Sequence, residues 1–237
     1  MSDDFPPLPI LFTDETLLVI NKPAGLPSLP DGYNPGVPHV RSLLKPYYGR
    51  VWIVHRLDRG TSGVLLLARS AEAHRALNLQ FDQRQVTKVY HALVSGSPDW
   101  DTKTVDLPLR IDVGHKHRTA IDSIRGKAAV THLRVLERFA GYTLVEAIPE
   151  TGRTHQIRAH LAAAGYPLAA DELYGSGPAG DGPPVIPRLG LHARYLTIEH
   201  PILHSILHFE APYPEDFAQA LDQLRQRDRP DCQSGPQ

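Results

Sequence analysis

Cysteine is almost missing from these 237 residues: Cys232, in a polar tail, is the only one. One thiol cannot build a disulfide scaffold or a cysteine-rich zinc module. No stretch approaches the roughly 20 apolar residues of a membrane span. The start, MSDDFPPLPI, has acids and prolines where a secretory signal needs a basic end and an apolar run. No period of about 20–50 residues recurs, so a solenoid or propeller is excluded. There is no GxGxxG after a strand, no GxxxxGK[ST] and no ligand cluster at metal-binding spacing. What is present is 41% hydrophobic residues, enough to bury a core and exclude wholesale disorder. The sequence reads as a soluble, cytoplasmic, globular protein.

A net charge of −1 conceals strong segregation. Residues 39–75 hold seven Arg/Lys against Asp58 and Glu72, a balance of +5. Residues 110–138 hold seven more against three acids, a balance of +4. The first 20 residues and residues 199–237 each carry −4. If the basic segments share a face, that face suits a phosphate backbone. Of the 25 basic residues 19 are Arg, whose planar fork matches phosphate oxygens.

Thr16–Lys22 reads as a strand ended by Pro23, and Gly63–Arg69 as a strand covered on both faces. Ser70 is placed to cap a helix running to about Asp82. Lys88–Val94 alternates as a strand, and Ala128–Phe139 with Tyr142–Ile148 forms a hairpin across Ala140-Gly141. Thr154 is expected to cap a helix to about Ala164, with a core stripe of Ile157, Leu161 and Ala164. Gly175–Pro187 is a Gly/Pro-rich loop, Leu191–Glu199 and Ile206–Glu210 are closing strands, and a last helix spans about Glu215–Arg227. Strands outnumber helices and mostly follow one another. The expected class is therefore α+β with a large, chiefly antiparallel sheet. The domain reading is an extension over 1–15, one catalytic domain over 16–227 and a flexible tail over 228–237.

The stretch richest in chemistry is Val54–Ala68, VHRLDRGTSGVLLLA. Asp58 stands between Arg56 and Arg59, just ahead of a buried strand, where a loop is rigidly held. On residue types alone, a surface aspartate in exposed salt bridges is the competing reading. HRLDRGTSG resembles the signature of the RluA-type pseudouridine synthases, in which the aspartate is essential. Further segments match that family in order: Asn21-Lys22-Pro23-Ala24-Gly25, Lys88-Val89-Tyr90-His91-Ala92 and Gly126-Lys127-Ala128-Ala129-Val130-Thr131. They continue with Thr151-Gly152-Arg153-Thr154-His155-Gln156-Ile157-Arg158-Ala159-His160, then Leu191-His192-Ala193 and His200-Pro201.

The resemblance implies an isomerase that converts uridine in ribosomal or transfer RNA to pseudouridine. It implies the pseudouridine synthase fold and no cofactor. It assigns catalysis to Asp58, as nucleophile or as base on the sugar, and a cation holding that carboxylate ionised to Arg158. Tyr90 is implied to stack the flipped base. Arg56 is implied to enter the RNA where the base was, and Ile157 and Arg153 to contact substrate. Arg153 and Arg158 lie about 140° apart round a regular helix, so both cannot face Asp58 through it. His155 and His160 miss the i,i+4 spacing of a two-ligand helix face, which disfavours zinc. Ser62-Gly63 lacks the first glycine of a hydrolase elbow. The family pattern starts by residue 16, without the S4 module many relatives carry upstream, so RNA affinity is expected to come from the two basic segments. Ala170 stands where the family has the glycine of GDxxYG, which puts a local turn in question. The remaining expectations are a monomer, no obligatory protein partner and no membrane. The rival is an RNA-binding module that has lost the reaction; it predicts decay at Asp58, Tyr90 or Arg158, and all three are present.

Overall fold

The computed structural model describes residues 7–30, 34, 36–114, 118–175 and 184–228. In chain order the elements are β1 (Ile10–Thr13), β2 (Leu17–Lys22), α1 (Val40–Tyr48), β3 (Trp52–Ile53), β4 (Ser62–Ala68), α2 (Ala71–Asp82) and β5 (Thr87–Ser95). There follow β6 (Thr102–Asp106), β7 (Leu109–Val113), β8 (Arg118–Ile121), β9 (Val130–Phe139) and β10 (Tyr142–Pro149). The chain closes with α3 (Gln156–Ala163), β11 (Leu191–Glu199), β12 (Ile206–Glu210) and α4 (Glu215–Arg227). One sheet runs β1-β2-β4-β11-β5-β10-β9-β6, with β3 on β4 and β12 on β11, while β7 and β8 form a separate ribbon. Among the described residues only the β4–β11 joint is parallel. This is the expected α+β class.

The centre of the sheet is β4, buried at every residue. Its side chains alternate between two cores, as a period of two requires. Val64, Leu66 and Ala68 meet Ala73 and Leu77 of α2 on one face. Leu65 and Leu67 meet Val40 and Leu44 of α1 on the other. The joint to β11 is only two residues long, Ser62 opposite His192 and Gly63 opposite Ala193. Gly63 has φ +116°, and a Cβ there would lie 2.1 Å from the Ala193 carbonyl oxygen. Ser62 Oγ and His192 Nδ1 are 2.9 Å apart, and His192 Nε2 lies 3.1 Å from the Ala211 carbonyl. With Nε2–H donating to that carbonyl, Nδ1 accepts from the serine. The TSG and LHA segments, 130 residues apart, are thus two sides of one joint.

Ser70 caps α2 as expected, its hydroxyl accepting from Ala73 N at 3.1 Å. The α3 cap differs: His155, not Thr154, is the N-cap residue, in the left-handed region at φ +54°. The reason lies in Gln156. Its Oε1 accepts from Thr151 Oγ1 and Arg153 N, and its Nε2 donates to Val130 O and Thr131 Oγ1. A buried amide thus bolts the helix start to β9, with no side chain capping a helix N–H. Thr154 instead offers its carbonyl to Thr119 Oγ1 of β8 at 2.8 Å. The segment read as an N-terminal extension supplies β1, which pairs with β2. Of the expected 175–187 loop and the tail, residues 176–183 and 229–237 lie outside the described residues. Among the described residues, no helix is long and apolar enough to cross a membrane.

Candidate active site

The loop between β3 and β4 carries Asp58, and the chain segment after β2 holds it from both sides. Ser28 Oγ donates to Leu57 O at 2.9 Å and accepts from Leu57 N at 3.1 Å. On the other side, Gly25 N donates to Arg59 O at 2.8 Å and Arg59 Nε returns a bond to Gly25 O at 3.0 Å. The Lys22 ammonium, fully buried, bonds Pro23 O at 2.9 Å and Leu26 O at 2.8 Å and reaches Arg59 O at 3.5 Å. Burial pulls its pKa down to about 7 against the opposing attraction of Asp58. Thr61 N closes a turn onto Asp58 O at 3.0 Å. The NKPAG and HRLDRG segments therefore act as one clamp, which fixes the carboxylate's backbone before any substrate arrives.

The Asp58 carboxylate is 21% exposed and faces α3, with Arg158 Nη1 at 3.9 Å and His155 Nε2 at 3.7 Å. Arg158 is itself held by Asp171: Nε donates to Oδ2 at 2.9 Å and Nη2 to Oδ1 at 2.8 Å. The Asp171 side chain is fully buried, and its Oδ1 also accepts from Leu173 N and Tyr174 N. A guanidinium whose fork is fixed by one carboxylate can offer only its remaining nitrogen to another, which gives Asp58 a preset cation. Burial works against the Arg158 charge, but Asp171 and Asp58 more than offset it and raise its pKa. The Arg158 guanidinium also lies over the Tyr174 ring, 5.0 Å from its centroid.

Tyr174 Oη accepts from Thr119 N at 2.7 Å and lies 3.1 Å from His155 Nδ1. A phenol that accepts there donates to Nδ1, which leaves the proton on Nε2, facing Asp58. Burial, and Arg158 as a lesser cause, lower the His155 pKa against the pull of Asp58, so the ring is neutral. Asp58 thus meets one cation and one neutral N–H donor.

Tyr90 stands on β5 opposite Ala147 of β10 and Ala193 of β11. Two small neighbours leave room for the ring beside the loop that carries Asp58. Burial and the nearby Asp58 raise its pKa, which keeps the phenol protonated. Ile157 packs in the same core as Tyr90 and Leu191 while also lining the cleft. The cleft has a volume of about 450 Å3, within the range of small-molecule sites. Arg56, exposed, and Arg84, Lys88 and Arg153 give it a basic rim. Arg153 precedes α3, and its Nε donates to Ala128 O at 3.3 Å.

The structure brings Asp58, Arg158, Tyr90, Ile157, Arg56 and Arg153 to this one cleft. Sequence reasoning missed Asp171, His155 and Lys22. Asp171 lies in the segment read only for its turn, and Lys22 carried a signal in being the one charge at the end of a largely apolar strand. His160, weighed with His155 as a metal ligand, is buried against Thr131 Oγ1 at 2.9 Å and Leu107 O at 3.0 Å. Among the described residues no group of three or more His, Cys, Asp or Glu could hold a metal ion.

Residues 16–163 match the family model described as RNA pseudouridylate synthase. A ribosomal large subunit pseudouridine synthase D of Pseudomonas aeruginosa is 40% identical over 92% of this chain and 72% of its own length. A protein of the same description from Nitrosomonas europaea is 42% identical over 92% of this chain and 66% of its own. Among solved structures, human RNA pseudouridylate synthase domain containing 1 superposes with a TM-score of 0.74 at 29% identity, covering 94% of this chain and 96% of that one. From the matched segment, these identities and the shared fold, the chain belongs to the RNA pseudouridylate synthase family.

Proposed function

We propose that Asp58 is the catalytic residue for isomerising uridine to pseudouridine in large-subunit ribosomal RNA. In that reaction the N1–C1′ bond breaks, the freed base turns and C5 bonds to C1′. The C5 hydrogen leaves as a proton, and N1 gains one. No electrons are exchanged and no water is consumed, so one positioned carboxylate suffices, as nucleophile or as base on the sugar.

The observation that carries this reading is a carboxylate with an Arg158 nitrogen at 3.9 Å and a His155 nitrogen at 3.7 Å, in a cleft that also contains Tyr90. The target base must be flipped out of its stack, at a cost of a few kcal/mol. An aromatic face at Tyr90 compensates by stacking it whatever its neighbours in sequence. Arg56 is exposed on the rim, and in this reading it fills the gap left in the RNA. The catalytic groups come from one chain, so we assign the reaction to the monomer. The large-subunit substrate is supported by the descriptions of the Pseudomonas and Nitrosomonas relatives.

Wild type and Asp58→Ala are incubated with RNA from a strain lacking the gene, and pseudouridine is mapped at nucleotide resolution. The expected result is a new site with wild type and none with the variant. Equal yields from the two would remove Asp58 from the mechanism. A new site in transfer RNA instead would move the substrate.

A further inference from the structure

We infer that a second cavity, walled by Arg41, Lys45, Arg50 and Trp52, holds the phosphate backbone of the same RNA at a point remote from the target uridine; this rests on the RNA reading above. The cavity measures about 670 Å3 and lies on the outer side of β3, between α1 and α2. Trp52 pairs with Ala68 at the end of β4, whereas Asp58 precedes Ser62 at its start. The two sites thus sit toward opposite ends of β4, whose seven residues span about 20 Å. An RNA reaching from one to the other runs over several nucleotides.

The partition of the basic segment 39–75 carries the inference. Arg59 is spent on Gly25 O, and Arg69 on Thr13 Oγ1 and the Asp14 carbonyl. Arg56 belongs to the catalytic cleft, and Arg75, exposed on α2, lines neither cavity. Arg41, Lys45 and Arg50 are all exposed, line the second cavity, and have no carboxylate within ion-pair distance among the described residues. Among the described residues no acid lines that cavity. Arg41 and Lys45 stand i,i+4 on α1, an arrangement of like charges that repels. A bound anion relieves that repulsion.

The floor is not simply wet surface: Leu29, Val51, Trp52 and Ile53 give it an apolar base. The Arg50 guanidinium lies 4.9 Å from the Trp52 ring centroid. Cations flanking an aromatic ring are the combination by which proteins grip single-stranded nucleic acid without reading sequence. The ligand class is therefore a run of phosphodiesters with at least one unpaired base, and the site would set affinity and position rather than chemistry.

The test uses the intact chain and unmodified large-subunit ribosomal RNA transcribed in vitro. In a Trp100→Phe background Trp52 is the sole tryptophan, and its emission is expected to shift on titration with the transcript. The triple variant Arg41→Gln/Lys45→Gln/Arg50→Gln is expected to bind at least tenfold more weakly near 0.1 M salt. Its plot of log affinity against log salt should be shallower by about 2, since each lost phosphate contact removes about 0.7–0.9. A melting curve matched to wild type shows that the fold is kept. Affinity and salt slope unchanged in the triple variant, or Trp52 emission unmoved at saturation, would overturn the second site. Pseudouridine formation on the transcript is scored separately with wild type: binding without product refutes the proposed function, while the second cavity stands or falls on the affinity data alone.

Discussion

Replacing Asp171 with asparagine keeps its shape and removes its charge. The fully buried carboxylate accepts four bonds, two from Arg158 at 2.9 and 2.8 Å and two from the amides of Leu173 and Tyr174. The asparagine oxygen can retain the amide bonds and one guanidinium bond at Oδ1, but its NH2 then faces Arg158 Nε, donor against donor. Breaking a buried ion pair from one side costs about 3–5 kcal/mol. With Asp58 still 3.9 Å from Arg158 Nη1 as a residual partner, the lower end applies. For a chain of this size about 3 kcal/mol lowers Tm by about 6–12 °C. Arg158, released from its fork, no longer holds a fixed angle to Asp58, and a loss of about 1.4 kcal/mol in transition-state stabilisation already lowers kcat tenfold. Thermal melts and single-turnover pseudouridine formation, run well below the variant's Tm, measure the two effects separately. A purely structural Asp171 would lower Tm and leave kcat intact. A kcat within twofold of wild type, or a Tm within 2 °C, would refute the idea that Asp171 sets Arg158.

Three further outcomes follow from the same geometry. Gly63→Ala places a Cβ 2.1 Å from the Ala193 carbonyl at φ +116°, so the β4–β11 joint must open; circular dichroism and melting should show a loss above about 3 kcal/mol or failure to fold. Ala170 sits at φ +54°, and Ala170→Gly should relieve that strain, raising stability by about 0.5–1 kcal/mol and Tm by about 1–4 °C. Burial lowers the His192 pKa from 6.5 to about 4. The unfolded chain therefore takes up the proton first as the solution is acidified. Its share of stability is whole above about pH 6.5 and is lost on descent to about pH 4, roughly 3 kcal/mol in all. Denaturant melts across that range should give a shallower pH slope for His192→Gln, with His55 and His91, held at about 3 and about 4 chiefly by burial, and His155 and His160, also lowered by burial, contributing to the rest.

What was legible in the sequence was what local periodicity encodes. β4 announced itself as an unbroken apolar run, α2 by Ser70 and its spacing, and the β9–β10 hairpin by alternation across Ala140-Gly141. α1 went unread because its helical stripe is short and Pro46 interrupts it. The short β3, β6, β7 and β8 draw their stability from neighbours rather than from their own pattern, and are silent in sequence. At the site, Asp58, Tyr90 and Arg158 were identified through motifs. Asp171 and Lys22 were not: Asp171 acts through Arg158, and Lys22 bonds backbone carbonyls, which leave no pattern of residue types. The α3 start was misplaced by one residue because the side chain that positions it, Gln156, is anchored to a strand 25 residues earlier.

The position of β11 bears on how the molecule comes into being. Synthesis delivers β4 and β5 early, but the strand that joins them begins only at Leu191. Until that stretch has left the ribosome, the half bearing Asp58 and the half bearing Tyr90 have no continuous sheet between them. A product truncated at residue 163 would hold Asp58, Tyr90 and Arg158 and still lack the seam that brings them face to face. The nascent enzyme is thus kept idle until its joining strand has been made.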